Sequence, residues 1–277
     1  MSRRGDISDS RLLIIGHRGA SAYAPENTLA AFAQAFEDGA DGIELDVRLA
    51  RDGVPVVVHD ATLSRIVLCD GLVESLASEE LCALDVGTRF NHLHPELARE
   101  EFARERIPTL AQVFERFGAS ARVLYVEMKC DPALHAPLAR SVVELTRAHG
   151  LADRVVVKSF AHDSLREVKR LAPEVRTAAL FKPKWSRPLL SASRIVEEAA
   201  RCGADEISLH RSLLRRATTG AALARGLPVL VWTVDTPFWL RRAEALGLRA
   251  IFTSRPAEMK AALGEIRARE LERVEIG

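Results

Sequence analysis

A chain of 277 residues with 48% hydrophobic content can bury a sizeable core, and α/β barrels of about this length commonly form one domain. Its 39 basic and 38 acidic side chains leave a net charge of +1, which gives no basis for general nucleic-acid binding or for attraction to an anionic membrane. No apolar run is long enough to span a bilayer, and Cys69, Cys82, Cys130 and Cys202 show neither CxxC nor zinc-site spacing, so they read as reduced and structural.

The first ten residues are charged and read as peripheral, and the apolar run Leu12–Ile15 is too short for a signal-peptide core, so a cytoplasmic protein is expected. LLIIG (12–16) reads as the first strand and ends in His17-Arg18-Gly19. TLAAFAQAFEDG then places Leu29, Phe32, Ala33 and Phe36 on one helical face and stops at Gly39. The second strand, GIELDV (42–47), alternates: Ile43, Leu45, Val47 and Leu49 take one face, and Glu44, Asp46 and Arg48 take the other. Asp52-Gly53 is a two-residue hairpin signal, and that turn sets His59 opposite Asp46. A three-residue loop with a bulge would instead set Val58 there, and His59 would arrive from the end of the strand.

Residues 61–106 are too long for an ordinary strand-to-helix loop, and they read as a polar excursion over the mouth of the fold. TLAQVFERFG (109–118) resumes the helical pattern with Thr109 as N-cap. Six further strands follow: RVLYVEMK (122–129), RVVVKSF (154–160), RTAALF (176–181), DEISLH (205–210), PVLVWTV (228–234) and AIFTS (250–254). Helix stops fall at Gly150, Gly203, Gly226 and Gly247, and residues 262–277 form a charged tail. Eight strand-helix units predict a closed (β/α)8 TIM barrel over 1–277 as a single domain, with the insertion 61–106 after the second strand.

In such a barrel, reactive groups stand at the carboxyl ends of strands. His17 and Arg18 follow the first strand, Glu44 and Asp46 lie on the second, His59 follows the hairpin, and Glu127 and Lys129 share a face at the end of the third. Three carboxylates make a hard, oxygen-rich set suited to Mg²⁺, Ca²⁺ or Mn²⁺ rather than zinc. Arg18 and Lys129 add positive charge for an anion, and two histidines can move protons near neutral pH. Together these are the parts of phosphoester hydrolysis. Each also has a structural reading: Glu44 and Asp46 paired with Arg48 or Lys129 in a buried ion network, His17 capping a strand, and Glu26 and Asn27 serving only as the entry to the first helix. The loop FKPKWSRP (181–188), with Lys182, Lys184 and Trp185, reads as a solvated loop at the mouth, the alternative being recognition of a substrate headgroup such as a quaternary ammonium; His210 at the end of the sixth strand is similarly placed, with both readings open.

HRGA (17–20), PENT (25–28), ELDV (44–47), the 52–60 hairpin with its VVVHD, LDVG (84–87), IPTL (107–110), YVEMK (125–129), KSF (158–160) and VWTV (231–234) run in order along most of the chain. In these stretches the sequence resembles the glycerophosphodiester phosphodiesterases. The resemblance implies a TIM barrel with a small insertion after the second strand, and metal-dependent hydrolysis of a small glycerophosphodiester to sn-glycerol 3-phosphate and an alcohol. It implies His17 and His59 as the acid-base pair and Glu44, Asp46 and Glu127 as ligands of a divalent cation. It further implies Arg18 and Lys129 as phosphate contacts, Glu26 and Asn27 as organisers of the site, and Phe160 and Trp232 as pocket-lining aromatics. Where the family usually reads Thr-Asp-Arg-Pro, this chain has Thr253-Ser254-Arg255-Pro256, which is expected to loosen that corner without removing a metal ligand. Alternatives are a lysophospholipase D, which needs an apolar strip at the mouth, and a catalytically silent barrel that binds phosphorylated ligands. The presence of both histidines and all three carboxylates argues against the silent barrel, because binding phosphate needs only positive charge.

Overall fold

Short runs of β-branched residues pair side by side because their residues can be buried on both faces, and amphipathic segments between them cover the outside. A computed structural model describes residues 11–67, 70–183 and 190–276, with side chains up to residue 269; Cys69, Lys184 and Trp185 lie outside the described residues, as do the first ten. In chain order the elements are β1 (Leu13–His17), α1 (Leu29–Glu37), β2 (Gly42–Leu49), β3 (Pro55–Val57), α2 (Ser78–Cys82), α3 (Gly87–Leu93), α4 (Leu110–Phe117) and β4 (Val123–Met128). They continue with α5 (His135–Ala148), β5 (Val155–Ser159), α6 (His162–Leu171), β6 (Arg176–Phe181), α7 (Ala192–Arg201), β7 (Glu206–His210), α8 (Arg216–Leu223), β8 (Val229–Trp232), α9 (Phe238–Ala245), β9 (Ala250–Thr253) and α10 (Pro256–Ile276).

β1 pairs in parallel with both β2 and β9, and β2, β4, β5, β6, β7, β8 and β9 follow one another around the ring. The eight strands expected from the sequence are therefore the eight parallel staves of a closed TIM barrel. None of the described helices is long and apolar enough to cross a membrane.

Alternation sorts each strand into two sets. Ile14, Ile43, Leu45, Val126 and Val157 pack outward against helix residues such as Phe32, Phe114, Leu138 and Leu165. Leu13, Ile15, Tyr125, Val156, Leu230 and Phe252 meet inside the ring as an apolar plug. The period-2 continuation of that inner set toward the carboxyl ends reaches His17, Glu127, Lys158 and Trp232, and Glu44 and Asp46 lie on the same face of β2. The charged face of β2 is thus the upper lumen of the barrel.

The helix signals behave as the capping rules require. Thr28 accepts a hydrogen bond from Ala31 N–H at 3.2 Å, and Thr109 and Gln112 form a reciprocal capping box. Gly39, Gly150, Gly203, Gly226 and Gly247 stop their helices with φ between 64° and 80°, whereas Gly118 stays right-handed at φ −57°. The corner expected to loosen is tied: Asp235 accepts from Thr253 hydroxyl at 3.0 Å and from Ser254 N–H at 2.7 Å.

Two expectations are corrected. The Asp52-Gly53 turn is a three-residue loop, with Ala50 N–H donating to Val54 O at 2.9 Å and Gly53 at φ 81°, so the register sets Arg48 opposite Val56. Gly53 takes the left-handed position that ends such a loop, and the shift by one residue carries Val58, not His59, opposite Asp46. His59 accordingly enters from the end of β3. The excursion, read as polar, contains α2, α3 and three short 3-10 turns among the described residues of 61–106. It also closes a satellite core in which Leu63, Val67, Val73, Leu81 and Val86 pack on Val56 and Val58.

At the β2–β4 pair, a Cβ added to Gly42 would stand 2.1 Å from the Val123 carbonyl oxygen. Gly42→Ala is expected to destabilise the protein by about 1–3 kcal/mol in urea unfolding, since two paired backbones cannot part without disturbing the ring. An unchanged midpoint would show that the ring yields there.

Candidate active site

The loop after β1 turns back on itself through two residues in left-handed conformations, Arg18 and Asn27, each at φ 58°. Side chains other than glycine are strained there, and such positions persist where surrounding contacts hold them. Those contacts are present: Arg18 N–H donates to Glu44 Oε2 at 3.1 Å, and Asn27 N–H donates to the Arg18 carbonyl at 3.0 Å. Asn27 then grips Asp46 twice, its amide donating to Oδ2 at 3.0 Å and its Oδ1 accepting Asp46 N–H at 3.3 Å.

Glu44, Asp46 and Glu127 are all buried, and each offers an oxygen within 4.8 Å of the others. Carboxylates this close repel and resist ionising together unless positive charge offsets them. Arg18 Nε lies 3.1 Å from Asp46 and its Nη1 lies 3.0 Å from Glu26. Lys129 Nζ lies 2.5 Å from Glu127 and 3.3 Å from Asp46. Lys158, only 1% exposed, sits 2.8 Å from Glu44, 3.5 Å from Glu127 and 4.3 Å over the Phe252 ring. Arg48 takes no part in the carboxylate cluster; it donates to the carbonyls of His59 and Lys129.

These neighbours set the protonation states. Burial would raise the Asp46 pKa, but Lys129, Arg18 and His59 outweigh it and hold the carboxyl below its usual range. Burial acts to lower the Lys129 pKa, and Asp46 and Glu127 more than reverse it. For His17, 3.9 Å from Glu44, desolvation first and then Arg18 and Lys158 push the pKa down to about 3, so the imidazole is neutral at pH 7.

His59 stands at the end of a relay. Its Nδ1 is 2.6 Å from Asp60 Oδ1, Asp60 pairs with Arg65, and Arg65 pairs with Glu26 at 2.5 Å, which returns to Arg18. Because an ionised carboxylate only accepts, Asp60 holds a proton on His59 Nδ1 and fixes the orientation of the ring.

The expected carboxylates, Arg18, Lys129, His17, Glu26 and Asn27 therefore come together in one network, and His59 joins it through the relay. Phe160 and Trp232 meet each other edge to face at 5.6 Å, with His210 5.1 Å from Trp232 and Lys182 4.8 Å over Phe160, as an aromatic cluster at the ends of β5 and β8. Two members of the network were not anticipated. Lys158 follows the same inward alternation as Val156, a signal present in the sequence but not extended to it; Arg65 lies in the irregular excursion, where no period points to a partner.

The donor set suits a hard divalent cation: three carboxylate oxygens converge, and each carboxylate has more lone-pair sites than its lysine or arginine partners use. The family model described as the glycerophosphoryl diester phosphodiesterase family matches residues 17–258.

The chain belongs to that family. It is accordingly an enzyme of the phosphoric diester hydrolase class. A glycerophosphodiester phosphodiesterase of Caldanaerobacter subterraneus subsp. tengcongensis is 35% identical over 249 residues, covering 89% of this chain and 95% of that protein. Among solved structures, a putative glycerophosphoryl diester phosphodiesterase from Silicibacter pomeroyi is 28% identical with a TM-score of 0.81, covering 93% of this chain and 95% of the other. An Oleispira antarctica phosphodiesterase, solved in complex with the product sn-glycerol-3-phosphate, is 28% identical with a TM-score of 0.77, covering 91% of this chain and 96% of the other.

The depressed Asp46 pKa gives a pH dependence of fixed sign. A carboxyl whose folded pKa lies below its unfolded value of about 3.9 contributes stability that is complete above that value and is lost as pH falls through the folded one. In metal-free buffer, urea midpoints are expected to fall as the pH drops below about 4, and to fall less steeply in Asp46→Asn. Equal slopes for the two proteins would contradict the ion pairing described.

Proposed function

We propose that this phosphodiesterase hydrolyses small glycerophosphodiesters to sn-glycerol 3-phosphate and an alcohol, using a divalent cation (Mg²⁺, Ca²⁺ or Mn²⁺) held by Glu44, Asp46 and Glu127. The observation that carries this reading is the meeting of those buried carboxylates with Arg18, Lys129 and the two histidines at the carboxyl end of the barrel. The sn-glycerol-3-phosphate found with the Oleispira relative supports the same product here.

When bound, the cation offsets charge on the phosphate oxygens. Arg18 holds the phosphate with a planar fork of donors and Lys129 with a point charge. His17 and His59 exchange protons with the attacking and leaving oxygens, and Asp60 orients His59 for its share. Asn27 keeps Asp46 aimed into the lumen, and Glu26 braces Arg18. Phe160 and Trp232 wall the glycerol side, where Trp232 Nε1 is a buried donor without an acceptor among the described residues. The insertion 61–106 belongs to the same single domain over 1–277, a reading supported by the core it shares with the β2–β3 hairpin.

Release of sn-glycerol 3-phosphate from a panel of glycerophosphodiesters tests this. Turnover should vanish on chelation, return with the cation, and drop by roughly 10²–10⁴ in His17→Ala and His59→Ala that remain folded. Full turnover by chelated protein would remove the metal from the account, and active histidine variants would remove the acid-base pair. Folded wild type that turns over no diester would point to the silent binder.

A further inference from the structure

Between the loop after β1 and the insertion lies a cavity of about 140 Å³ that shares Glu26, Asn27 and His59 with the site. The remainder of its wall is mainly apolar, from Val57, Val58, Ile66 and Ile107, together with residues of α3. Two arginines also line it, and their situations differ. Arg65 is committed to Asp60 and Glu26. Arg89 has no carboxylate within ion-pair distance among the described residues, and its Nε is buried without a hydrogen-bond partner. A buried donor left unmade is costly, and native structures leave few of them.

α3 holds Arg89 in a defined place. Thr88 donates its hydroxyl to Asp85 at 2.6 Å, Asp85 pairs with Arg106 at 3.7 Å, and Phe90 packs edge-on against Phe102 at 5.6 Å. The guanidinium is thus presented by a braced helix and does not trail from a loose loop.

We propose that this cavity receives the leaving alcohol of the diester and that Arg89 selects alcohols bearing an anionic group, a carboxylate or a phosphate. The proposal rests on the phosphodiesterase reading above. His59 lines both spaces, so an alcohol oxygen departing from phosphorus beside His59 places its substituent in this cavity. The volume is close to that of an engineered cavity of about 150 Å³ that admits benzene, which suits a compact headgroup and not an acyl chain. An unpaired guanidinium repels a quaternary ammonium, and Phe90, the aromatic ring of the wall, is already flanked by Phe102 and by His94 at 4.8 Å. Neither feature fits a cage for a cationic headgroup.

Glycerophosphoserine and glycerophosphoethanolamine differ only by the carboxylate, so their ratio of kcat/KM isolates it. Wild type is expected to favour the serine diester by about tenfold, a charge-assisted preference expressed mainly in KM. In Arg89→Gln the ratio should fall to near unity, and Arg89→Lys, which keeps the charge, should restore part of it. A ratio unchanged in Arg89→Gln, or an equal loss on both diesters, would overturn the anionic subsite while leaving the phosphodiesterase reading intact. Failure of folded wild type to cleave either diester would overturn both together.

Discussion

Three carboxylates buried within 4.8 Å of one another cannot stand without compensating positive charge, and much of the upper barrel is arranged around that requirement. Lys158 reaches it from β5, Lys129 from the end of β4, and Arg18 from the turn after β1. The left-handed conformations of Arg18 and Asn27 are held by contacts to the same cluster: Arg18 N–H donates to Glu44 and the Asn27 side-chain amide donates to Asp46. Strain in one loop is held by hydrogen bonds to another strand, which locks the turn after β1 to the carboxylates of β2.

The second constraint is the hairpin. With β3 only three residues long, the chain leaves the sheet before His59, and the imidazole is placed by Arg48 holding its carbonyl and Asp60 holding its Nδ1. The insertion then contributes in two ways. It buries apolar residues against the hairpin, which steadies the strand end, and it supplies Arg65 and Arg89 to the cavity that His59 also lines. One segment therefore both braces the strand end that carries His59 and borders the cavity that His59 lines.

Much of this was legible in the sequence because period 2 is an unambiguous signal wherever one face of a strand is charged. Glu44, Asp46, Glu127 and Lys129 emerged from alternation and the eight strands from their β-branched runs. The hairpin register was not settled, since Asp-Gly is compatible with loops of two or three residues and one residue decides which side chain faces Asp46. Lys158 reads as one charge in an apolar strand, and only closure of the ring shows it between Glu44 and Glu127. Arg65 and Arg89 sit where the spacing of Leu63, Val67, Val73, Leu81 and Val86 follows neither helical nor strand period, so their neighbours could be found only in three dimensions.

The most direct test is whether the carboxylate cluster binds a cation or is a closed ion network. Electron paramagnetic resonance of metal-free protein titrated with Mn²⁺ reads this without reference to turnover. The account predicts one saturable site per chain, competed by Mg²⁺ or Ca²⁺ and lost in folded Asp46→Asn. Folded wild type that leaves all the Mn²⁺ free would contradict it, and would make Lys129, Lys158 and Arg18 the final partners of those carboxylates.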